Sequence, residues 1–367
     1  HGNPLDLTPN LDRLARHGTF LKEFYSCQPV CGPARSCIQS GQWATRTDCH
    51  TNGRPLVSAD DHLGPLFSAA GYDTGYIGKW HLGEHGVHGP VAPEYRRGYH
   101  TWLAANAIEH TSDAYHTTVW DEKGEEVYLP GYRVDAITDA GIRFMNEKRA
   151  EPWFLTLSYL EPHHQNHSDN YPAPEGYEEK YQGQWTPPDL QALTGSAPQH
   201  LGGYWGMIKR LDEAFGRILD YLRSSDQLEN TIIAFITDHG CHFKTRNAEY
   251  KRSGHDASLR LPGVFYGGPF TAGGTRTEMV SLLDIPPTLL DTAGIQVPES
   301  MDGSSILPLI KQTQDEPWRD HVYAQISEAE VGRCVRTHRW KYGVCDPDAD
   351  TFQVAYPKEK YREAYLY

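Results

Sequence analysis

Short β-rich runs alternate with amphipathic helical stretches along most of this 367-residue chain. The predicted strands are residues 74–77, 154–159, 231–237 and 263–266. The predicted helices between and after them are residues 134–148, 204–224 and 282–293. Strands that alternate with helices are typical of an α/β fold with a mainly parallel central sheet flanked by helices. Ligands of such sheets bind at the carboxyl ends of the strands, so we expect the chemistry there.

The pattern changes near residue 310. Three closely spaced, short strand-like runs with turn-like breaks follow, at residues 322–327, 333–337 and 340–344. Such strands favour antiparallel pairing. We therefore predict an α/β domain over residues 1–310 and the start of a small antiparallel α+β subdomain over residues 311–367.

Charge and hydropathy argue against two classes of function. The chain has 34 Lys and Arg against 48 Asp and Glu, a formal net charge of -14, so bulk electrostatics do not favour nucleic acid. The longest apolar runs, such as residues 232–236, are too short to cross a bilayer as a helix. An anionic substrate therefore needs a local cationic cluster or a metal. The 19 His, 22 Tyr and 9 Trp favour the polar and stacking contacts that bind sugars.

The segment from Cys31 to Gly41 constrains the function most. Pro33 is typical of the first turn of a helix, and Gly41 of the position after its end. Cys31 is therefore predicted just before a helix N-terminus, where an anion meets free N–H groups. Arg35, one turn into the helix, can reach the same place. A buried, inert cysteine beside a capped helix is the alternative explanation of this segment.

This C-x-P-x-R pattern, followed by a short helix and a glycine, resembles the signature of the type I sulfatases of the alkaline phosphatase superfamily. The resemblance implies an alkaline-phosphatase-like fold. It also implies that a formylglycine-generating enzyme oxidises Cys31 to formylglycine, whose hydrated aldehyde is the nucleophile. Ala34 fits the pattern, whereas Gln39 and Ser40 replace the Leu-Thr that often precedes the glycine in that family.

Residues 71–82 resemble the second sulfatase signature over their whole length. Alternate residues of a strand point to one side, so we predict that Lys79 and His81 lie together. An ammonium and a titratable imidazole provide the charge neutralisation and proton transfer that attack on a sulfate ester needs. A solvated lysine and a surface histidine are the alternative.

The predicted strand 231–237 leads into Asp238 and His239, two possible metal ligands. The resemblance makes Asp238 a ligand of one Ca²⁺, together with the modified Cys31 and His239. His239 stands where the family often has Asn, and because calcium prefers oxygen donors, His239 leaves the identity of the metal open. The paired Asp ligands of the family would precede residue 8, so the resemblance also implies a chain truncated at both ends.

The remaining site residues follow from position relative to the strands. The resemblance assigns sulfate contacts to Lys251 and to His163, which follows the strand at 154–159. Proximity alone suggests substrate contacts for His164, Arg252 and His255. The cluster of His163, His164 and His167 could alternatively hold a transition metal.

Taken together, these motifs imply a sulfuric ester hydrolase that acts on a sulfated carbohydrate, such as a polysaccharide or a glycosaminoglycan. Two alternatives stay open. One is a phosphomonoester or phosphonate ester hydrolase of the same superfamily, and the other is a non-catalytic module that binds sulfated glycans. The resemblance also implies a periplasmic or secreted location.

Overall fold

Helices and strands alternate along the chain as the hydrophobic pattern predicts. The computed structural model describes residues 2–57, 59–84, 86, 88–314, 316–349 and 360–367. In the described residues the α-helices are α1 Pro9–His17, α2 Cys31–Ser40, α3 Leu63–Ala69, α4 Ile108–Thr111, α5 Arg133–Asn146, α6 Tyr177–Tyr181, α7 Pro188–Gln191, α8 Ala197–Ser224, α9 Asp256–Leu259, α10 Ile285–Thr292 and α11 Leu307–Lys311. The strands are β1 Thr19–Leu21, β2 Phe24–Tyr25, β3 Asp73–Lys79, β4 Thr101–Ala105, β5 His116–Asp121, β6 Glu126–Pro130, β7 Trp153–Ser158, β8 Ile233–Ile236, β9 Gly263–Tyr266, β10 Gly274–Arg276, β11 Val280–Ser281, β12 His321–Ile326, β13 Gly332–Thr337, β14 Lys341–Cys345 and β15 Arg362–Leu366.

The chain divides into two units, each assembled from two separate stretches. The first unit comprises residues 1–13 and 67–231, and the second comprises residues 14–66 and 232–367. None of the helices in the described part of the chain has the length and apolar character that a membrane span requires.

The first unit contains a five-stranded sheet in the order β6-β5-β4-β3-β7. Strand β3 runs parallel to both of its neighbours, β4 and β7, whereas β5 pairs antiparallel with β4 and β6. The α/β class is therefore confirmed, but the sheet is mixed. Its antiparallel edge arises because only a short turn joins β5 to β6, and a short turn can connect antiparallel neighbours only.

Strands β3 and β7 position the candidate residues of the first unit. Strand β3 extends beyond the predicted residues 74–77, and β7 begins one residue before the predicted range 154–159. Their parallel pairing begins at Asp73 and Trp153. Helices α5 and α8 pack together, and the carboxylate of Asp135 accepts hydrogen bonds from the Arg210 guanidinium at 2.8 Å and 3.1 Å. These bonds join α5 to α8 within the first unit.

The second unit contains a mixed four-stranded sheet, β10-β1-β9-β8, and a pair of short strands, β11 and β2. Helix α2 packs into the apolar core of this unit, where Ala34 and Cys37 are fully buried with Phe265 and Leu282. The buried face of α2 fixes its axis, so its first turn, which carries Cys31, has a defined position.

A four-stranded antiparallel sheet, β12-β13-β14-β15, completes the second unit. Strands β12 to β14 match the three predicted runs, which confirms the antiparallel C-terminal region. Its apolar face packs on Tyr25 and Leu259, and residues such as Val322 and Ile326 are buried in that cluster.

Candidate active site

Cys31 is the first residue of α2, so the helix begins one residue earlier than the sequence predicted. The preceding Val30 is extended, with φ -142° and ψ 137°, and supplies no side-chain cap. The backbone N–H of Gly32 donates instead to Asn52 Oδ1 at 2.8 Å. Gly41, with φ 66°, ends the helix in the left-handed conformation, as predicted. Cys31 therefore lies at the positive end of a defined helix.

Two side chains from other segments of the second unit meet Cys31. Lys251 Nζ lies 2.9 Å from Cys31 Sγ, and His239 Nε2 lies 3.3 Å from it. Lys251 Nζ is also 3.2 Å from His239 Nε2. Cys31 and Lys251 are buried, with exposed fractions of 2% and 6%. An ammonium is thus held against the cysteine side chain where water is largely excluded.

Arg35 and Asp238 form an ion pair in the same unit. Arg35 Nε lies 3.2 Å from Asp238 Oδ2, and both side chains are about one-seventh exposed, at 14% and 15%. The Ser26 hydroxyl donates to the Asp238 carbonyl at 2.7 Å, which fixes the end of the β8 segment. The structure therefore brings Arg35 and Asp238 together one helical turn from Cys31.

The ring of His239 is oriented by its neighbours. Its Nδ1 lies 2.9 Å from the Gly240 carbonyl, which requires a proton on Nδ1, and its Nε2 then accepts from Lys251 Nζ. Cys31, Asp238 and His239 each offer a ligand atom within 4.8 Å of the others. Among the described residues, this is the grouping of carboxylate, thiol and imidazole donors that could hold a metal ion.

The Lys251 backbone is fixed by two side chains. His242 Nε2 donates to the Lys251 carbonyl at 2.9 Å, and Asn247 Nδ2 donates to it at 3.2 Å. Burial lowers the pKa of His242 to about 4, so its ring is neutral near pH 7. A neutral ring can keep donating to this carbonyl without adding a second positive charge beside Lys251.

Two of the predicted substrate contacts, Arg252 and His255, are engaged within the second unit. Arg252 pairs with Glu249 at 3.2 Å and with Glu328 at 2.7 Å. The His255 ring stacks on Tyr365, with ring centroids 5.4 Å apart. Burial, followed by nearby cationic groups, lowers the pKa of His255 to about 4, so this ring is not a cation near pH 7.

In the first unit, Lys79 and His81 converge on one carboxylate. Lys79 ends β3, and its Nζ lies 2.7 Å from Glu109 Oε1. His81 lies beyond the strand with φ 62°, so strand alternation does not set its direction. Its Nδ1 is nevertheless 3.9 Å from the same Glu109 oxygen. Lys79 and His81 therefore lie close together as predicted, but they do so because both side chains approach Glu109.

His163 and His164 follow β7 and stack on each other, with centroids 4.5 Å apart and an interplanar angle of 14°. His163 Nδ1 donates to the His164 carbonyl at 2.6 Å. His167 Nε2 lies 3.0 Å from Asp113 Oδ1, and both side chains are exposed. Among the described residues these three histidines do not form a metal-binding group, so the transition-metal alternative gains no support.

A fully buried ion pair supports the loop that carries these histidines. Arg133 Nη2 lies 2.8 Å from Glu161 Oε1, and neither side chain is exposed. The Arg133 guanidinium also donates to Gln165 Oε1 at 3.2 Å, and the Gln165 amide donates to the Glu109 carbonyl at 2.8 Å. This network links the His163 loop to the residue that pairs with Lys79.

Sequence reasoning missed Glu109, Asn52 and Glu328. None of them lies in a recognisable sequence motif, and the partner that each one contacts is distant in sequence. Glu109 did leave a signal: it follows β4, and β4 pairs in parallel with β3, which ends at Lys79. The carboxyl ends of neighbouring parallel strands meet at one edge of a sheet, so an acid after β4 can reach a lysine at the end of β3.

Comparison with known proteins identifies relatives over nearly the whole chain. A sequence model of the sulfatase family matches residues 1–295, and a model described as the N-sulphoglucosamine sulphohydrolase C-terminal region matches residues 248–356. An ulvan-active sulfatase from Formosa agariphila is 28% identical over 362 residues, which cover 93% of this chain and 68% of the relative. An N-acetylglucosamine-6-O-sulfatase from Bacteroides thetaiotaomicron is 24% identical over 430 residues, which cover 95% of this chain and 74% of the relative. A solved structure from glycosaminoglycan metabolism in Bacteroides thetaiotaomicron has the same fold, with a TM-score of 0.85 at 20% identity, and covers 100% of this chain and 83% of that chain.

Proposed function

This chain belongs to the sulfatase family of sulfuric ester hydrolases, and on that premise we propose that it removes sulfate from a sulfated carbohydrate through a nucleophile made from Cys31. One observation carries the proposal: Lys251 Nζ is 2.9 Å from Cys31 Sγ in a buried site at the start of α2. The modification we propose is oxidation of Cys31 to formylglycine by a formylglycine-generating enzyme.

The modified residue supplies a hydrated aldehyde, which has one hydroxyl for attack on sulfur and a second that allows the sulfate to be released. The reaction is thereby divided into two easier steps, attack on sulfur and release of sulfate. An unmodified thiol cannot complete the second step, because its sulfated form has no second hydroxyl. The Lys251 ammonium beside the Cys31 side chain would neutralise a sulfate oxygen. Cations aimed at developing charge in a water-poor site contribute several kcal/mol to catalysis.

Asp238, His239 and the modified Cys31 would hold the metal ion, which would neutralise further charge on the sulfate oxygens. Asp238 provides the carboxylate oxygen that Ca²⁺ prefers, and this donor fits calcium. His239 Nε2 is an unprotonated nitrogen and fits a divalent cation as well, although nitrogen is not a preferred calcium donor. Arg35, paired with Asp238, would contact the sulfate from the first turn of α2.

In the first unit we assign charge neutralisation to Lys79 and proton transfer to His81 and His163. The ion pair of Lys79 with Glu109 holds its ammonium at the end of β3. A titratable imidazole is suited to taking a proton from the nucleophile or giving one to the leaving alcohol. His164, which stacks on His163, would contact the sugar.

Relatives that act on sulfated sugars support the substrate class, among them an ulvan-active sulfatase and an N-acetylglucosamine-6-O-sulfatase. Such substrates are extracellular, which supports a periplasmic or secreted location for this chain. We therefore propose a sulfated polysaccharide, or an oligosaccharide derived from it, as the physiological substrate.

The test begins with co-expression of the chain and a formylglycine-generating enzyme, followed by peptide mass spectrometry of the segment that contains Cys31. Converted protein is then assayed on a panel of sulfated oligosaccharides, on an aryl sulfate and on the matching aryl phosphate. We expect conversion, together with a kcat/KM that is higher for sulfate than for phosphate. Cys31→Ala should retain the fold, seen by circular dichroism, and lose turnover.

Three results would contradict the proposal in different ways. Faster hydrolysis of the phosphate would favour the phosphoester hydrolase. An unmodified thiol, with a control sulfatase fully converted in the same cells, would favour a glycan-binding module. Wild-type turnover in Cys31→Ala would exclude Cys31 as the source of the nucleophile. Chelation followed by titration with Ca²⁺, Mn²⁺ or Zn²⁺ identifies the metal, and we expect Ca²⁺ to restore activity.

A further inference from the structure

We propose that Glu328 is a positioning residue that holds both the first turn of α2 and the Lys251 loop in their working geometry. The inference rests on the proposed function of the Cys31 site and adds to it a residue from the turn between β12 and β13. Glu328 lies between two strands of the C-terminal antiparallel sheet, far in sequence from Cys31, and it contacts Asn52 and Arg252 of the same unit.

The first connection runs through Asn52. The backbone N–H of Asn52 donates to Glu328 Oε1, and its side-chain Nδ2 lies 3.4 Å from Glu328 Oε2. With its Nδ2 directed to Glu328, Asn52 presents Oδ1 to the Gly32 N–H at 2.8 Å. The Glu328 carboxylate thus sets which way the Asn52 amide faces. Asn52 then satisfies an N–H in the first turn of α2 that Val30 leaves uncapped.

The second connection runs through Arg252. Arg252 Nη2 lies 2.7 Å from Glu328 Oε2, and its side chain is 16% exposed. Arg252 directly follows Lys251, whose Nζ is 2.9 Å from Cys31 Sγ. The other acidic partner of Arg252, Glu249, is 45% exposed, whereas Glu328 is 11% exposed. The pair with Glu328 is therefore the less screened of the two and contributes more to holding the loop.

The turn that carries Glu328 is itself fixed. Ser327 is fully buried, and its hydroxyl accepts a hydrogen bond from Gln28 Nε2 at 2.6 Å. Gln325 N donates to the Cys27 carbonyl at 2.8 Å. These bonds tie the turn to the segment that leads into α2. Glu328 has φ 68°, which is rare for a residue other than glycine and costs free energy that its side-chain contacts must offset.

A carboxylate suits this position, and an amide does not. Both Glu328 oxygens face donors: the two Asn52 nitrogens and the Arg252 guanidinium. In Glu328→Gln, one oxygen becomes an NH₂ group that must face one of these donors, and the charge that attracts Arg252 is lost. We expect the Gly32 N–H and the Lys251 loop to loosen together. A displacement of about 1 Å at a reacting group can cost on the order of 100-fold in rate.

The test compares Glu328→Gln with Glu330→Gln. Glu330 lies in the same turn and is also half-buried, and burial raises its pKa. It serves as the control because, in the described structure, it contacts neither Asn52 nor Arg252. Hydrogen exchange followed by mass spectrometry reports on peptides covering residues 31–34 and 249–253, independently of catalysis. Kinetics on an aryl sulfate, normalised to the fraction of Cys31 converted, report on the rate. Asn52→Ala is a further variant, which leaves the Arg252 pair in place.

For Glu328→Gln we expect exchange at least tenfold faster in both peptides and a kcat at least tenfold lower, with KM within about threefold of wild type. Glu330→Gln should match wild type, and Asn52→Ala should affect residues 31–34 alone. Unchanged exchange in Glu328→Gln overturns the inference whether or not the enzyme is active. Faster exchange with an unchanged kcat also overturns it, because Glu328 is then merely structural. A fully converted wild type that hydrolyses no sulfate ester overturns the proposed function instead, and the exchange result still decides the role of Glu328. If Glu328→Gln does not fold, the prediction for Asn52→Ala decides it.

Discussion

Glu109→Gln is expected to destabilise the first unit by about 3–5 kcal/mol, because it leaves the Lys79 ammonium buried without its carboxylate. The two side chains are 1% and 3% exposed, and Lys79 Nζ lies 2.7 Å from Glu109 Oε1. Removing one partner of a buried pair costs far more than removing one from a surface pair. The expected loss corresponds to a change of roughly 10²–10⁴ in the unfolding equilibrium constant.

Urea unfolding followed by tryptophan fluorescence measures this loss, since Trp80 and Trp102 are buried beside the end of β3. With an m-value of about 3 kcal/mol/M, the midpoint should fall by about 1–1.7 M. Asp220→Asn is the matched control. It makes the same chemical change in the pair with Arg223, whose side chains are 73% and 56% exposed, and should cost less than about 1 kcal/mol.

A double variant separates stability from function. In Lys79→Met/Glu109→Leu both charges are replaced by apolar groups of similar size, which is often neutral for stability. We expect most of the lost stability to return while sulfate ester hydrolysis stays at least 100-fold below wild type. A loss below about 1 kcal/mol in Glu109→Gln would refute the reasoning about the buried pair. Full activity in the double variant would refute the assigned role of Lys79.

Three further predictions concern other parts of the molecule. Burial lowers the pKa of His242 to about 4, so its contribution to stability is complete above the unfolded pKa of about 6.5 and is lost as the pH falls from there to about 4. His242→Gln should remove up to about 3 kcal/mol of this pH dependence of the free energy of unfolding, measured by urea unfolding at several pH values. Gly78→Ala should cost about 3 kcal/mol or more in thermal unfolding, because a Cβ at φ 113° would lie 2.1 Å from the Ser158 carbonyl oxygen, whereas Gly71→Ala, at φ 84° with open space around it, should cost about 1–2 kcal/mol. Asp238→Asn should raise the Ca²⁺ concentration for half-maximal activity at least tenfold, and unchanged calcium dependence would remove Asp238 from the metal site.

The elements that the sequence predicts best are those with a strong local signal. Helix α2 has a proline in its first turn and a glycine after its end, and it begins within one residue of the expected position. Strand β9 covers residues 263–266, as predicted. The mixed character of the sheets was not predicted, because strand direction depends on which strands pair, and hydrophobic periodicity within one strand does not report its neighbours.

In the candidate site, too, the residues with a local sequence signal were predicted and those that depend on distant partners were not. Cys31, Arg35 and Asp238 lie in motifs, and the structure brings them together with His239 and Lys251 in one unit. Their assignment depended on family resemblance, since a single chain gives no distance between residues about 200 positions apart. The side chains that hold these residues lack a motif altogether. Their chemistry becomes visible only when a partner distant in sequence is placed beside them.

The second unit is built from residues 14–66 and 232–367, so its two parts are synthesised at different times. The stretch that contains Cys31 leaves the ribosome before β8, β9 and the C-terminal sheet, and it cannot complete its core until they have been made. At roughly 5–20 residues per second, translation of residues 67–231 takes on the order of 10–30 s. During that interval Cys31, which is 2% exposed in the folded chain, belongs to a core that is not yet complete. Slowing or accelerating translation of residues 67–231 would lengthen or shorten that interval without changing a single amino acid.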